Sequence, residues 1–296
     1  MEVPLAIASA FVARQVRADK YSVGTVAVVG GSPRYPNAPA IAALGARAAG
    51  AGLVRLVAPE ASRVAACFLV PEATFADASS SAADLPRADV VVLGMGLGLG
   101  EDAKARVRSA LFGRAGRFVV DADALTVLAA FRAKEGASWR CDGQAVVLTP
   151  HEGEAARLLA CPREEVSADR PGAAREIASR YCATVVLKGS GTIVASADGS
   201  REHVNATGNP YMALGGAGDL LAGTIGARWA YLGKMGERGT GNGERTDFLA
   251  AAGAVWLHGA AGDKVVKEGV DPSIANFASA IGALRVRLDS AAQGGS

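Results

Sequence analysis

The sequence predicts an α/β fold in which a mainly parallel sheet is covered by helices on both faces. Short β-branched runs alternate with Ala-rich segments of helical length, the order a parallel sheet needs to return the chain between strands. The strand candidates are apolar at successive positions instead of every second one, as strands buried on both faces are. Glycine accounts for 37 of 296 residues while aromatics make up 5%, so tight turns and close backbone approaches are expected at many junctions.

In chain order, β-branched and apolar runs, interrupted only by Arg55, place strands at Val26–Val29, Leu53–Val57, Val90–Leu93, Phe118–Val120, Val146–Leu148, Thr184–Leu187 and Ile193–Ala195. The segments between them are long enough for one helix each, and helices are expected at Ala38–Gly50, Glu101–Phe112, Ala124–Phe131, Glu152–Leu159 and Pro171–Tyr181. After Ala195 the pattern changes. A polar hairpin-like stretch around Asp198–Gly199 leads into a Gly-rich loop, and successive helices run from Asp219 towards the C-terminus. The polar, Gly-rich stretch Lys234–Thr246 reads as a mobile surface loop between two helices, and Gln293–Ser296 as a frayed tail. No linker divides the chain, so residues 1–296 are expected to form one domain, and there is no internal repeat.

Charge and composition exclude several functions. Lys plus Arg number 31 and Asp plus Glu 29, a net +2 with both signs interspersed, which does not suit a nucleic-acid binder. Half the residues are hydrophobic, enough for one substantial core. The charge-free apolar stretch Phe248–Gly262 is shorter than the roughly 20 residues that cross a bilayer, and it carries His258. The run Pro4–Ala13 follows Glu2 in place of a basic region and does not read as a secretory signal, so a cytoplasmic location is expected. Cys67, Cys141, Cys161 and Cys182 are widely spaced, which suits reduced structural thiols, and they form no zinc spacing with His151, His203 and His258.

The motif with the most chemistry is TGNPYMALGGAGD, Thr207–Asp219, directly before an apolar helix. Gly215, Gly216 and Gly218, with Ala217 between them, allow backbone N–H groups to converge at a helix N-terminus, where the dipole favours phosphate oxygens. Asp219 at the same terminus is placed to take a proton from a hydroxyl beside a bound phosphoryl group. The competing structural reading is an N-cap Asp after a flexible loop.

Other loops are individually less specific. KGSGT, Lys188–Gly189–Ser190–Gly191–Thr192, follows one strand and precedes another, and suits either a turn approaching a nucleotide or an ordinary hairpin with a solvated Lys. TPHEGE, Thr149–Glu154, opens a helix at a strand's C-terminal end, the edge where open α/β sheets bind ligands. Glu154 is a candidate for holding Mg²⁺ through water, or else it complements the helix dipole. GMGLGLG after Leu93 carries glycines at 94, 96, 98 and 100 but lacks the G-x-G-x-x-G spacing, because position 99 is Leu. Gly30–Gly31–Ser32 ends the first strand without a P-loop Lys, and Asp121 and Asp123 in VVDADAL either meet a cation or ribose or cap a helix.

Taken together and in this order, these loops resemble the ribokinase-like superfamily, and within it the ADP/ATP-dependent NAD(P)H-hydrate dehydratases. The carriers are VAVVGGSPRYPNAPAIAALGARAAGAGLVRLVAP, LGMGLG, VVDADAL, LTPHEGE, LKGSGT, TGNPYMALGGAGDLLAG and LHGAAGD, spanning about Lys20–Asp263. The resemblance implies a three-layer sandwich and a co-substrate, ADP or ATP, with Mg²⁺. It implies Asp219 as the catalytic residue and substrate contact, and Ala38, Gly96 and His151 as further contacts to the hydrated nicotinamide cofactor. Gly218 and Lys188–Thr192 would hold the adenine nucleotide. It also implies a symmetric homo-oligomer, such as a tetramer, with sites near subunit contacts. The chain departs from the family pattern at Met95, usually Pro, at Asn37, usually Gly, and at the longer Lys234–Thr246 connection. Related sugar kinases usually carry Asn where His151 stands, which favours the dehydratase. The N-terminal epimerase domain frequent in the family is not seen, so the chain is expected to act as the dehydratase alone. The implied reaction phosphorylates the hydrate's ring hydroxyl, and phosphate then leaves. The alternatives are a small-molecule kinase of the same superfamily, acting on a thiazole, pyrimidine or vitamin alcohol, and a non-catalytic nucleotide sensor.

Overall fold

A computed structural model describes residues 2–14, 17–77, 88–113, 115–135, 144–237 and 246–291. Nine strands form one sheet: β1 (Thr25–Val29), β2 (Leu53–Ala58), β3 (Thr74–Asp77), β4 (Val90–Leu93), β5 (Gly116–Val120), β6 (Gln144–Leu148), β7 (Thr184–Leu187), β8 (Ile193–Ala195) and β9 (Glu202–Val204). Their spatial order is β3-β2-β1-β4-β5-β6-β7-β8-β9. The first seven in this order run parallel, and β8 and β9 are added antiparallel. The progression reverses between β1 and β4, which opens a crevice beyond their C-terminal ends.

The helices are α1 (Ala38–Ala48), α2 (Glu60–Leu69), α3 (Glu101–Phe112), α4 (Asp123–Glu135), α5 (Glu152–Leu159), α6 (Arg163–Ala168), α7 (Arg170–Tyr181), α8 (Ala217–Glu237), α9 (Thr246–Lys267) and α10 (Ile274–Ala291). Alternate strand residues enter two cores. Val26, Val28, Val90, Val92, Val119 and Val147 pack with α1, α8, α9 and α10. Ala27, Val29, Val91, Leu93, Phe118 and Val120 pack with α3, α4, α5 and α7 on the other face. This is the three-layer sandwich expected, and it explains the apolar strand runs: both faces of each are covered.

Helices α1 and α8 meet at backbone contact. A Cβ at Gly45 would strike the Leu220 carbonyl, and one at Gly223 would strike the Ala42 carbonyl. Glycine at these two positions therefore lets the start of α8 lie against α1.

The seven expected strands and five expected helices are present, with ends shifted by a few residues: β2 reaches Ala58, and α4 runs Asp123–Glu135. Outside that reading lie β3, β9, α2 and α6, and two 3₁₀ turns at Leu5–Ala10 and Pro210–Met212. Of the loop expected over Lys234–Thr246, residues 234–237 instead extend α8, and Thr246 begins α9. The remainder of that loop, Cys141 and the 293–296 tail lie outside the described residues. No described helix is long and apolar enough to cross a membrane.

Candidate active site

The site is built at the C-terminal edge of the sheet. Five of the seven parallel strands deliver site residues one or a few positions after their ends: Gly30 and Gly31 after β1, Gly94–Gly98 after β4, Asp121 after β5, His151 and Glu154 after β6, and Lys188 after β7. The β1 and β4 loops are tied by Gly31 N–H donating to the Met95 carbonyl at 2.8 Å. Gly96, at φ +63, faces Tyr35 and Ala38, whose Cβ atoms would lie 2.6 and 3.1 Å from a side chain there. Two expected substrate contacts, Ala38 and Gly96, are thus neighbours at the switch point. Both departures in this region are accommodated, since Met95 is fully buried and Asn37 has ordinary helical backbone angles that require no glycine.

The GMGLGLG loop is packed by its glycines. Gly94 has φ +124, and a Cβ there would strike the Asp121 carbonyl. Gly98 N–H donates to the Asp123 carboxylate at 2.7 Å. The two acidic residues of VVDADAL therefore part company, with Asp123 holding this loop and Asp121 meeting a cation.

That cation is Lys188. Its Nζ lies 2.6 Å from Asp121 Oδ1 and 3.9 Å from Glu154 Oε2. Asp121 is 1% exposed. The Lys188 N–H bonds the Pro150 carbonyl at 2.8 Å, joining the β6 and β7 ends. The KGSGT turn is braced from below by Arg170, whose guanidinium donates to the carbonyls of Leu187, Lys188 and Ser190. Neither Asp121 as the Lys188 anchor nor Arg170 as the brace was legible in the sequence, because their partners lie 67 and 17–20 positions away.

His151 is the N-cap of α5. Its Nδ1 accepts from the Gly153 and Glu154 N–H groups at 3.0 and 3.2 Å, while Glu154 Oε2 accepts from the His151 N–H at 2.8 Å. Within this reciprocal capping Nε2 lies 3.6 Å from Glu154 Oε1, and the side chain is 56% exposed. Burial, then the neighbouring Lys188 charge, lowers the His151 pKa and favours the neutral ring. Burial pushes Glu154 up to about 7 against the opposing pull of Lys188. Among the described residues no three His, Cys, Asp or Glu side chains gather as metal ligands.

Asp219 sits in the first turn of α8, half-buried, and its carboxylate has no hydrogen-bond partner among the described residues. It is therefore not a helix cap. Burial and then repulsion from Asp121, partly offset by Lys188, raise its pKa to about 7. Beside it a Cβ at Gly218 would lie 3.4 Å from Lys188 Nζ, so ammonium, amide and acid converge. Gly216 has φ +93, and a Cβ there would lie 2.8 Å from Ile41 of α1. Of the expected amide cradle, Ala217 has its N–H committed to the Leu214 carbonyl at 3.2 Å. The donors left for an anion are those of Gly215, Gly216 and Gly218.

A cavity of about 690 Å³ opens on one side of this convergence, lined by Lys188–Thr192, Asn205–Pro210, Ala217, Gly218 and His258. The size suits a nucleotide. All six expected nucleotide contacts line it. Asp219, His151, Glu154, Ala38 and Gly96 do not, so the site has two sides that meet at Gly218 and Lys188.

The sequence profile of the NAD(P)H-hydrate dehydratases matches residues 26–277. The chain belongs to the NAD(P)H-hydrate dehydratase family. It is 36% identical over 269 residues to the ADP-dependent (S)-NAD(P)H-hydrate dehydratase of Neisseria meningitidis serogroup B, covering 90% of this chain and 86% of that one. It is 42% identical over 265 residues to the bifunctional NAD(P)H-hydrate repair enzyme of Gloeobacter violaceus, covering 85% of this chain and 47% of that one. The chain thus spans about half the length of this bifunctional relative. Among solved structures, the Bacillus subtilis ADP/ATP-dependent NAD(P)H-hydrate dehydratase, co-crystallised with ATP/Mg²⁺, superposes with a TM-score of 0.80 at 26% identity, covering 95% of this chain and 96% of that one. The Pyrococcus horikoshii hydroxyethylthiazole kinase, at 16% identity and a TM-score of 0.57, shares the fold. The family's NAD(P)H-hydrate dehydratase fold is thus the ribokinase-like sandwich expected from the loops.

Proposed function

We propose that this chain is an ADP- or ATP-dependent (S)-NAD(P)H-hydrate dehydratase, returning the hydrated cofactors to NADH or NADPH. The observation that carries the reading is Asp219: an unpartnered carboxylate with a pKa of about 7, adjoining open amides and the Lys188 ammonium. A base of that pKa is half-ionised near neutrality, where a general base works best.

Hydroxide is a poor leaving group. Asp219 takes the proton of the hydrate's ring hydroxyl, and that oxygen attacks the terminal phosphorus of ADP or ATP, releasing AMP or ADP. The C–O bond then breaks as the ring nitrogen lone pair forms the iminium; loss of the neighbouring ring proton completes NAD(P)H, and inorganic phosphate departs. The amides of Gly215, Gly216 and Gly218 hold the migrating phosphoryl group, and Lys188 balances its charge. Glu154 would hold Mg²⁺ through water, and the ion would offset further charge on the nucleotide phosphates. Lys188–Thr192 and Gly218 hold the nucleotide, while Ala38, Gly96, His151 and Asp219 hold the hydrate. The chain acts as one domain in a homo-oligomer in the cytoplasm.

The test is to mix the protein with hydrated NADH, ADP or ATP and Mg²⁺, then follow reduced-nicotinamide absorbance and phosphate release together. Stoichiometric growth of both is expected. No absorbance change, with phosphorylation of an alcohol instead, would replace this reading with a kinase.

A further inference from the structure

The α9 motif LHGAAGD, Leu257–Asp263, has no role in the chemistry above, yet it packs along the cavity. Asp263 accepts from the Gly208 N–H at 2.9 Å through Oδ2 and from the Asn209 side-chain amide at 3.0 Å through Oδ1. Gly208 and Asn209 both line the cavity. One turn back, a Cβ at Gly259 would strike Thr207, whose hydroxyl donates to the Trp256 carbonyl at 3.0 Å. His258 is 8% exposed and lines the same cavity. A single helix therefore grips the 207–209 loop at three successive residues.

We propose that Asp263 is a positioning residue for nucleotide binding, tying Gly208 and Asn209 to α9 so that the cavity wall is already shaped when the nucleotide arrives. The geometry is specific. Asn209 Oδ1 accepts the Tyr211 N–H at 3.1 Å, which fixes the orientation of its amide and points the amino group at Asp263. Asparagine at 263 could accept from only one of the two donors, and its own amino group would face the other. Flipping Asn209 to relieve that clash would forfeit the Tyr211 bond. An unbraced loop must be ordered at the moment of binding, and that ordering weakens affinity without touching the ligand.

The inference rests on the proposed adenine-nucleotide reading of the cavity, and one experiment separates the two. Dissociation constants of MgADP and MgATP are measured by calorimetry for the wild-type protein, Asp263→Asn, Asp263→Ala, Asn209→Ala and the Asp263→Asn/Asn209→Ala pair, alongside KM for the hydrate and a melting curve. Asp263→Asn is expected to bind nucleotide about tenfold more weakly, with hydrate KM within about twofold. The double variant should lose less than the sum of the two singles. Unchanged nucleotide affinity in both folded Asp263 variants would overturn the inference, as would equal losses for nucleotide and hydrate. Should Asp263→Ala fail to fold, the near-isosteric Asp263→Asn decides. A wild-type protein that binds neither nucleotide would instead overturn the reading of the cavity itself, before any variant is considered.

Discussion

Lys188 Nζ lies 2.6 Å from the Asp121 carboxylate, and the same ammonium lies 3.9 Å from Glu154, so one cation is shared between the end of β5 and the first turn of α5. A lysine held this way cannot swing freely towards solvent. Asp121→Asn removes the nearer negative charge and leaves a largely enclosed ammonium facing an amide. The expected cost is about 2–3 kcal/mol in urea denaturation, below a fully buried pair because Glu154 remains. Turnover should fall more than nucleotide affinity, since the misplaced charge matters most while the phosphoryl group migrates.

Asp219→Asn keeps shape and removes the base. Turnover is expected to fall about 10²–10⁴-fold, the range of general-base contributions, while MgADP binding changes by no more than about threefold. Single-turnover phosphate release beside calorimetry checks the split, and a variant that retained full turnover would remove Asp219 from the mechanism.

The same carboxylate links catalysis to stability. Its ordinary pKa is 3.8 and burial, with Asp121, raises it to about 7 in the folded protein. Between these values the native state binds more protons than the unfolded chain, so its contribution to stability falls as pH rises through the window. Turnover needs the ionised form and rises over the same range. Asp219→Asn should therefore melt higher than wild type at pH 8 and alike at pH 4. Glu154 shifts in the same direction, so the difference between the two melting curves, not either curve, is the readout.

Gly223→Ala tests the backbone contact of α1 with α8. The new methyl would meet the Ala42 carbonyl, and the Ala46 nitrogen at 2.8 Å, so the helices must separate. A loss of about 1–3 kcal/mol is expected by chemical denaturation, with a raised hydrate KM because Ala38 and Asp219 ride on the two helices. Gly236→Ala in the same helix meets nothing within 4 Å and should gain about 0.5–1 kcal/mol.

Burial lowers the His258 pKa to about 4. The unfolded chain then takes up a proton near 6.5 that the native state refuses, so stability is lost as pH falls from about 6.5 towards 4. His258→Asn should flatten that acid limb of the melting-temperature profile relative to wild type.

The architecture was legible because the interior strands announce themselves by short runs of β-branched and apolar residues, interrupted only by Arg55 in β2. The edge strands β3 and β9 did not, since Thr74–Asp77 and Glu202–Val204 mix polar and apolar residues and pair on fewer sides. At the site, Gly218 beside Asp219, the KGSGT turn and the TPHEGE helix start are local signals, each set by short-range chemistry. What escaped was pairing across the sheet. Asp121 reads as either a ligand contact or a cap until the fold brings Lys188 to it, and Asp263 reads as one acidic residue in a helix until Gly208 and Asn209 arrive from 55 and 54 positions away. Glu154 and His151 were each read for a ligand, whereas their first obligation is to each other at the start of α5.

The parallel strands β5, β6 and β7 lie side by side in the middle of the sheet, and the residues they deliver are drawn from opposite halves of the polypeptide. No fragment could assemble this centre by itself, and no fraying at the margins would dismantle it. Denaturant should thus abolish turnover in a single step coincident with loss of the central sheet, leaving no partly melted species that still works.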